Sequence, residues 1–214
     1  VTKPRVAILI SGRGTNMRAL ISAAQSPDYP AQIALVLTNN PGAAGLAIAE
    51  SAGIPTAIIS HRPFGKDRQA HEQAIQARLT ESGIQLVCLA GYMRLLTPYL
   101  VDAWRGRMLN IHPSLLPAFP GLHTHARALE AGVRLHGCTV HLVTEVMDAG
   151  PILAQAAVPV LLGDTEDTLA ARVLRLENAL YPAALAAAAS GIDVPRPDAA
   201  AWLANPLPRP GALP

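Results

Sequence analysis

The sequence predicts an α/β fold: a doubly wound, mostly parallel central sheet with helices on both faces and an antiparallel C-terminal strand pair. Three observations carry this reading. Arg5–Ile10 (RVAILI) and residues 85–90 (QLVCLA) are short continuous apolar runs, the pattern of strands covered on both faces. Such runs alternate with stretches of helical spacing, at the pace of βαβ units. Late in the chain, 139–143 and 152–160 have strand composition with only the loop 145–151 between them, which suits antiparallel pairing.

Taken in order, the first strand stops at Ser11-Gly12, and a helix follows over 16–24. A second strand spans Gln32–Thr38, a second helix 45–52 is stopped by Gly53, and a third short strand covers 56–59. Residues 68–80 carry Ala70, Ala74, Ala77 and Leu79 at helical spacing, and Gly83 closes the helix. After strand 85–90, Thr97-Pro98 is an N-cap with proline at the first helical position, opening a short helix through Trp104. Met108–His112 is the next strand, 113–121 a proline-rich loop and 123–131 a helix. Beyond the strand pair, 165–189 is an Ala/Leu-rich helix interrupted near Pro182. The chain holds no internal repeat.

A chain of 214 residues, 50% hydrophobic and 15% charged, can bury a sizeable core. Its net charge of +2 comes from scattered basic residues without a basic stripe, so nucleic acid is not an expected partner. A local site for a phosphate or carboxylate remains compatible with this balance. Cys88 and Cys138 each lie within an apolar run and are expected to be buried reduced thiols, with no CxxC spacing for zinc or redox work. The first apolar run is too brief for a signal peptide, and no segment reaches membrane-spanning length. The expectation is a cytoplasmic monomer or homodimer acting on small molecules, with no membrane partner.

Ser11-Gly12-Arg13-Gly14-Thr15-Asn16 joins the first strand to the first helix. Glycines let the backbone approach an anion, and a helix N-terminus offers free N–H groups with a favourable dipole. The loop is neither GxGxxG nor a Walker sequence, which lowers the dinucleotide and NTPase readings. A phosphate site and a plain strand-to-helix turn both fit it.

The most informative stretch is Asn110-Ile111-His112-Pro113-Ser114-Leu115-Leu116-Pro117, with Asp148 further on in Met147-Asp148-Ala149-Gly150. Strand alternation places Asn110 and His112 on one face and Ile111 on the other. Pro113 removes a backbone donor and ends the strand, leaving both polar groups at its C-terminal edge, where open α/β sheets bind ligands. An amine attacking a carbonyl-like carbon creates a negative oxygen and a positive nitrogen. An amide that cannot ionise serves the first, and an imidazole with a carboxylate beside it can move the proton of the second. No serine or cysteine nucleophile is required, and there is no G-x-S-x-G elbow. His123 and His125 beside His112 and Asp148 raise the question of a metal, yet an i, i+2 pair diverges on a helix, so no metal is expected. His141 is expected to support or pack beside the same cleft, while His61, His71 and His136 are expected at the surface.

SGRGTN, AGYMRLL, NIHPSLLPAFPGLHTH, HGCTVHLVTEVMDAGPI and RLENALYP occur in that order from about Val6 to Pro182. In these motifs the chain resembles the phosphoribosylglycinamide formyltransferases, the folate-dependent glycinamide ribonucleotide transformylases of purine biosynthesis. The resemblance implies transfer of a formyl group from 10-formyltetrahydrofolate, a co-substrate, to the amine of glycinamide ribonucleotide. It implies that Asn110, His112 and Asp148 are catalytic, and that Gly14, Thr15, Asn16 and Glu177 hold the ribonucleotide. It further implies that Arg68, Met93, Arg94, Leu95, Leu96, Asn110, Thr144, Glu145, Val146, Met147 and Asp148 bind folate. On this footing one formyltransferase domain covers 1–204, with a nucleotide-binding half at about 1–105, a folate and catalytic half at about 106–204, and a Pro-rich tail at 205–214. Methionyl-tRNA formyltransferase and formyltetrahydrofolate hydrolase share the HPSLLP core, but neither acceptor calls for the SGRGTN loop. A non-catalytic nucleotide-binding module is opposed by the intact Asn110, His112 and Asp148.

Overall fold

The computed structural model describes residues 2–191; the Pro-rich tail lies outside the described residues. Seven strands form one sheet in the order β3-β2-β1-β4-β5-β6-β7. They are β1 (Arg5–Ile10), β2 (Gln32–Thr38), β3 (Thr56–Ile58), β4 (Leu86–Leu89), β5 (Met108–His112), β6 (Leu135–Leu142) and β7 (Ile152–Pro159). The first five are parallel, and β6 runs antiparallel to both β5 and β7. The expected doubly wound sheet is therefore present, with its antiparallel part at the C-terminal end.

The helices are α1 (Thr15–Ala24), α2 (Gly45–Ser51), α3 (Arg68–Glu81), α4 (Pro98–Ala103), α5 (Thr124–Glu130) and α6 (Glu166–Ala189). Alternate residues of β1 enter two cores. Val6, Ile8 and Ile10 pack with Met17 and Leu20 of α1 and Tyr181 and Leu185 of α6, whereas Ala7 and Leu9 pack with Ile75 and Leu79 of α3 and Leu100 of α4. This two-sided burial is why the strand is apolar at every position. Both cysteines are buried and unpaired, Cys88 in β4 and Cys138 in β6.

Several local expectations are corrected. The 165–189 helix is not interrupted: α6 continues through Pro182. Proline forfeits one helical hydrogen bond, but its neighbours anchor this turn. The Tyr181 hydroxyl donates to the Leu89 and Leu109 carbonyls at 3.0 and 3.1 Å, and the Tyr29 hydroxyl donates to the Pro182 carbonyl at 2.7 Å. Thr97 is the residue before α4 but does not cap it with its side chain. Its hydroxyl and its N–H (2.7 Å) both donate to the buried Glu72 carboxylate instead. Strand β6 begins at Leu135, four residues before the expected 139. Gly137 is a contact residue: a Cβ there would lie 2.0 Å from the Ala156 carbonyl oxygen across the β6–β7 pair.

The strand order sets the place of the site. From β1 the chain builds outward one way through β2 and β3, and the other way through β4 and β5. The reversal between β1 and β4 is a topological switch point, and the loops leaving the C-terminal ends of those strands open a crevice. Residues 11–14 leave β1 there, and 90–96 leave β4.

Candidate active site

The turn after β1 is held by backbone proximity. Gly14 has φ 72°, the left-handed region that disfavours side chains, and its N-terminal placement starts α1. A Cβ on Gly14 would lie 3.1 Å from the Gly45 Cα, and one on Gly45 would lie 3.2 Å from the Gly12 carbonyl oxygen, to which the Gly45 N–H already donates at 3.1 Å. The Ser11 N–H donates to the Gly91 carbonyl at 3.1 Å and the Met93 N–H to the Ser11 hydroxyl at 2.8 Å, so the loops after β1 and β4 are joined. At the start of α1, the Asn16 side-chain amide donates to the Glu177 carboxylate of α6 at 2.7 Å, and Asn16 Oδ1 is buried without a hydrogen-bond partner. Burial pushes the Glu177 carboxyl above its ordinary range, and the Asn16 bond offsets part of that rise.

On β5, Leu109 and Ile111 enter the core beneath α1 and α6, so alternation turns Asn110 and His112 to the other face. Asp148 arrives from the loop between β6 and β7, with φ 55°, a conformation that aspartate tolerates better than most residues. The Gly121 N–H donates to Asp148 Oδ2 at 2.8 Å and fixes the carboxylate. That same oxygen lies 3.5 Å from His112 Nδ1. At the opposite corner of the ring, His112 Nε2 is 3.0 Å from the Phe119 carbonyl, which can only accept, so Nε2 carries a proton. Both ring nitrogens thus face acceptors, and an imidazolium would donate to each.

The second histidine of this group is His141, paired across the strands with Asn110. Its Nε2 is 3.1 Å from Asn110 Nδ2 and 3.9 Å from Asp148 Oδ1. Burial holds its pKa below the usual imidazole value, against the opposing pull of the Leu142 carbonyl and Asp148.

Sequence reasoning did not identify the residues that pin the HPSLLP loop. Thr139 donates to the Ser114 carbonyl (2.7 Å) and accepts from the Leu116 N–H (3.0 Å), while Gln155 donates to the Leu116 carbonyl (2.8 Å) and to the Thr139 hydroxyl (2.9 Å). Polar residues in β6 and β7, the strands that follow β5 in the sheet, were the available signal. Further along, Arg127 donates to the Pro120 carbonyl at 2.5 Å and lies 5.7 Å from the centre of the Phe119 ring, steadying the carbonyl that His112 uses.

The expected surface positions of His71 and His136 are overturned: they are 2% and 1% exposed. His71 bonds the Ile59 carbonyl at 2.8 Å. His136 bonds the Pro113 carbonyl and sits 3.1 Å from His125 Nδ1, so one ring donates to the other, and its edge meets the Phe119 ring. A histidine in a polar-flanked strand looks exposed until its partners are known. Burial first, and then the His125 charge, push His136 down to about 4. With the unfolded value near 6.5, the unfolded chain takes up a proton that the folded one refuses. Stability from this site is therefore complete above pH 6.5 and is lost as pH falls towards 4, by up to about 3 kcal/mol. Urea unfolding of His136→Gln should show that part of the acid slope removed; an unchanged slope would refute the assignment.

The remaining expected folate residues form a rim. Met93, Leu95, Val146 and Met147 are large apolar side chains exposed on the loops after β4 and β6, with Leu122 exposed on the loop before α5. Arg94, Leu96 and Thr144 are half-buried and Glu145 is exposed. Thr15 is half-buried at the start of α1. Arg68 stands exposed at the first position of α3, after Asp67, whose side chain caps that helix through the Ala70 N–H at 2.9 Å. Among the described residues no hydrogen bond or ion pair joins Arg68 to Asn110, His112 or Asp148. Among the described residues no cluster of His, Cys, Asp and Glu has the arrangement of a metal site, and no helix is long and apolar enough to cross a membrane.

Known proteins resemble this chain over most of its length. The formyl transferase family profile matches residues 4–185. The phosphoribosylglycinamide formyltransferase of Escherichia coli is 42% identical over 92% of this chain and 92% of its own length. The trifunctional purine biosynthetic protein adenosine-3 of Homo sapiens is 52% identical over 88% of this chain, which spans only 19% of that protein. A crystal structure of phosphoribosylglycinamide formyltransferase from Brucella melitensis superposes with a TM-score of 0.85 at 58% identity, covering 89% of this chain and 98% of the other. With its sheet order, its histidine-bearing β5 edge and matches of this extent, the chain belongs to the formyl transferase family.

Proposed function

We propose that this chain catalyses transfer of the formyl group of 10-formyltetrahydrofolate to the amine of glycinamide ribonucleotide, giving formylglycinamide ribonucleotide and tetrahydrofolate in de novo purine biosynthesis. The observation that carries the reading is the meeting of Asn110, His112 and Asp148 at the sheet edge that also holds the glycine turn. The N–H groups of Gly14, Thr15 and Asn16 at the start of α1 suit a phosphate. Glu177 and the unpaired Asn16 Oδ1 present two acceptors to the hydroxyls of a ribose. The exposed apolar rim of Met93, Leu95, Val146 and Met147 suits a flat heteroaromatic ring, with Arg94, Leu96, Thr144 and Glu145 beside it and Arg68 reaching for folate carboxylates.

The residues divide the work by charge. As the amine nitrogen bonds to the formyl carbon, negative charge grows on the formyl oxygen, where an Asn110 N–H donates and the His112 Nδ1–H, only loosely engaged by Asp148 at 3.5 Å, can be shared. The Asp148 carboxylate faces His112 Nδ1 at 3.5 Å and accepts the proton shed by the amine, directly or through one water. When the bond from the formyl carbon to the folate nitrogen breaks, His112 returns a proton to that nitrogen. The proton taken up by Asp148 then passes to His112 Nδ1, 3.5 Å away, so one proton leaves the amine, one arrives on the folate, and the cycle closes without a covalent enzyme intermediate.

The test is a spectrophotometric assay for loss of formylfolate. Consumption is expected only when glycinamide ribonucleotide is present. Consumption without it would favour a hydrolase, and binding without consumption a non-catalytic module.

A further inference from the structure

His141 completes the hydrogen-bond logic of the site, and the argument rests on the formyl-transfer reading above. Its Nδ1 lies 3.0 Å from the Leu142 carbonyl, an obligate acceptor, so the proton of the neutral ring sits on Nδ1. Its Nε2 is then a bare lone pair, 3.1 Å from Asn110 Nδ2. Only the nitrogen end of the Asn110 amide can face that lone pair; the oxygen end would be repelled. The ring therefore decides which way round Asn110 sits, and the second N–H on Nδ2 is left for another acceptor.

We infer that His141 is a positioning residue that holds Asn110 as a donor to the developing oxyanion. An amide reversed end for end would put an acceptor where the reaction needs a donor. Protonating His141 would have that effect, because Nε2 would then offer a proton of its own to Asn110. The ionisable groups facing the ring are Asp148, from the loop after β6, and His112, from β5; its partner on β7 is Ile152. Asp148 favours the protonated ring, while burial and His112 disfavour it. Asp148 thus serves two histidines with its two oxygens, the 3.5 Å contact to His112 being the shorter.

Two polar replacements separate aiming from packing. Gln at 141 can place an acceptor near the position of Nε2, whereas Asn reaches only as far as Nδ1. His141→Gln should keep kcat within about threefold of the parent, and His141→Asn should lose about tenfold or more, with KM for both substrates little changed. In an Asn110→Ala background the same two changes should differ by less than about twofold, since the amide they aim is gone. Equal kcat for the Gln and Asn variants, or an undiminished difference in the Asn110→Ala background, would overturn the proposal. So would failure of both His141 variants to fold, because a role confined to aiming Asn110 leaves the fold intact. These comparisons are made against an active parent. An inactive parent would instead count against the transfer reading itself.

Discussion

Asp148→Asn should lower kcat by about 10³-fold while leaving the protein folded and ribonucleotide binding nearly intact. The magnitude is that of losing a positioned general base, within the usual 10²–10⁴ range. The substitution is a clean one at this position. Asn, like Asp, tolerates the left-handed backbone that residue 148 adopts, and its carbonyl oxygen can still accept the Gly121 N–H now bonded at 2.8 Å. What disappears is the charge: a neutral amide oxygen still faces His112 Nδ1 from 3.5 Å, but it cannot take up the amine's proton. Because Asn does not ionise, raising the pH should not restore activity. Measuring kcat and both KM values across pH, with thermal melting as the check on folding, decides the matter. A variant within tenfold of the parent would remove Asp148 from the mechanism.

The residues that chemistry requires were legible in the sequence because their types and spacing are constrained. A strand that alternates amide and imidazole and then ends at proline has few structural outcomes, and the structure places Asn110 and His112 as that pattern predicts. The glycine turn after β1 was legible for the same reason. Of the supporting layer, only the place of His141 beside the cleft was. His136 and His141 both lie in β6, and nothing in their immediate neighbours distinguishes a ring that bonds another histidine from one that bonds Asn110. Those partners are supplied by α5 and β5, so the information is tertiary. Pro182 misled in the opposite direction, as a local breaker overridden by the Tyr181 and Tyr29 anchors. Local propensity is a weak prior wherever packing has a specific demand.

Gly150→Ala should damage both stability and turnover, although Gly150 lies outside the catalytic group. The sequence marks it only as part of a turn. In the structure a Cβ there would fall 1.8 Å from the Leu142 carbonyl oxygen and 2.9 Å from its carbon, so backbone must move to admit one methyl group. The displaced segment has little freedom. The Leu142 N–H donates to the Pro151 carbonyl at 2.9 Å, closing the base of the loop that carries Asp148, and the Leu142 carbonyl is the acceptor that fixes the tautomer of His141. One methyl therefore pushes on the support of the carboxylate and of the ring that aims Asn110 together. Forcing extra volume into a packed site costs about 1–3 kcal/mol, and a shift of about 1 Å at reacting groups can cost about 10²-fold in rate. The expected result is an unfolding free energy in urea titration lowered by that amount and kcat/KM down by about 10²-fold, with the loss falling mainly on kcat. A Gly150→Ala protein that melts and turns over like the parent would mean that the loop accommodates the methyl freely, and that Asp148 does not depend on the close approach of Gly150 to Leu142.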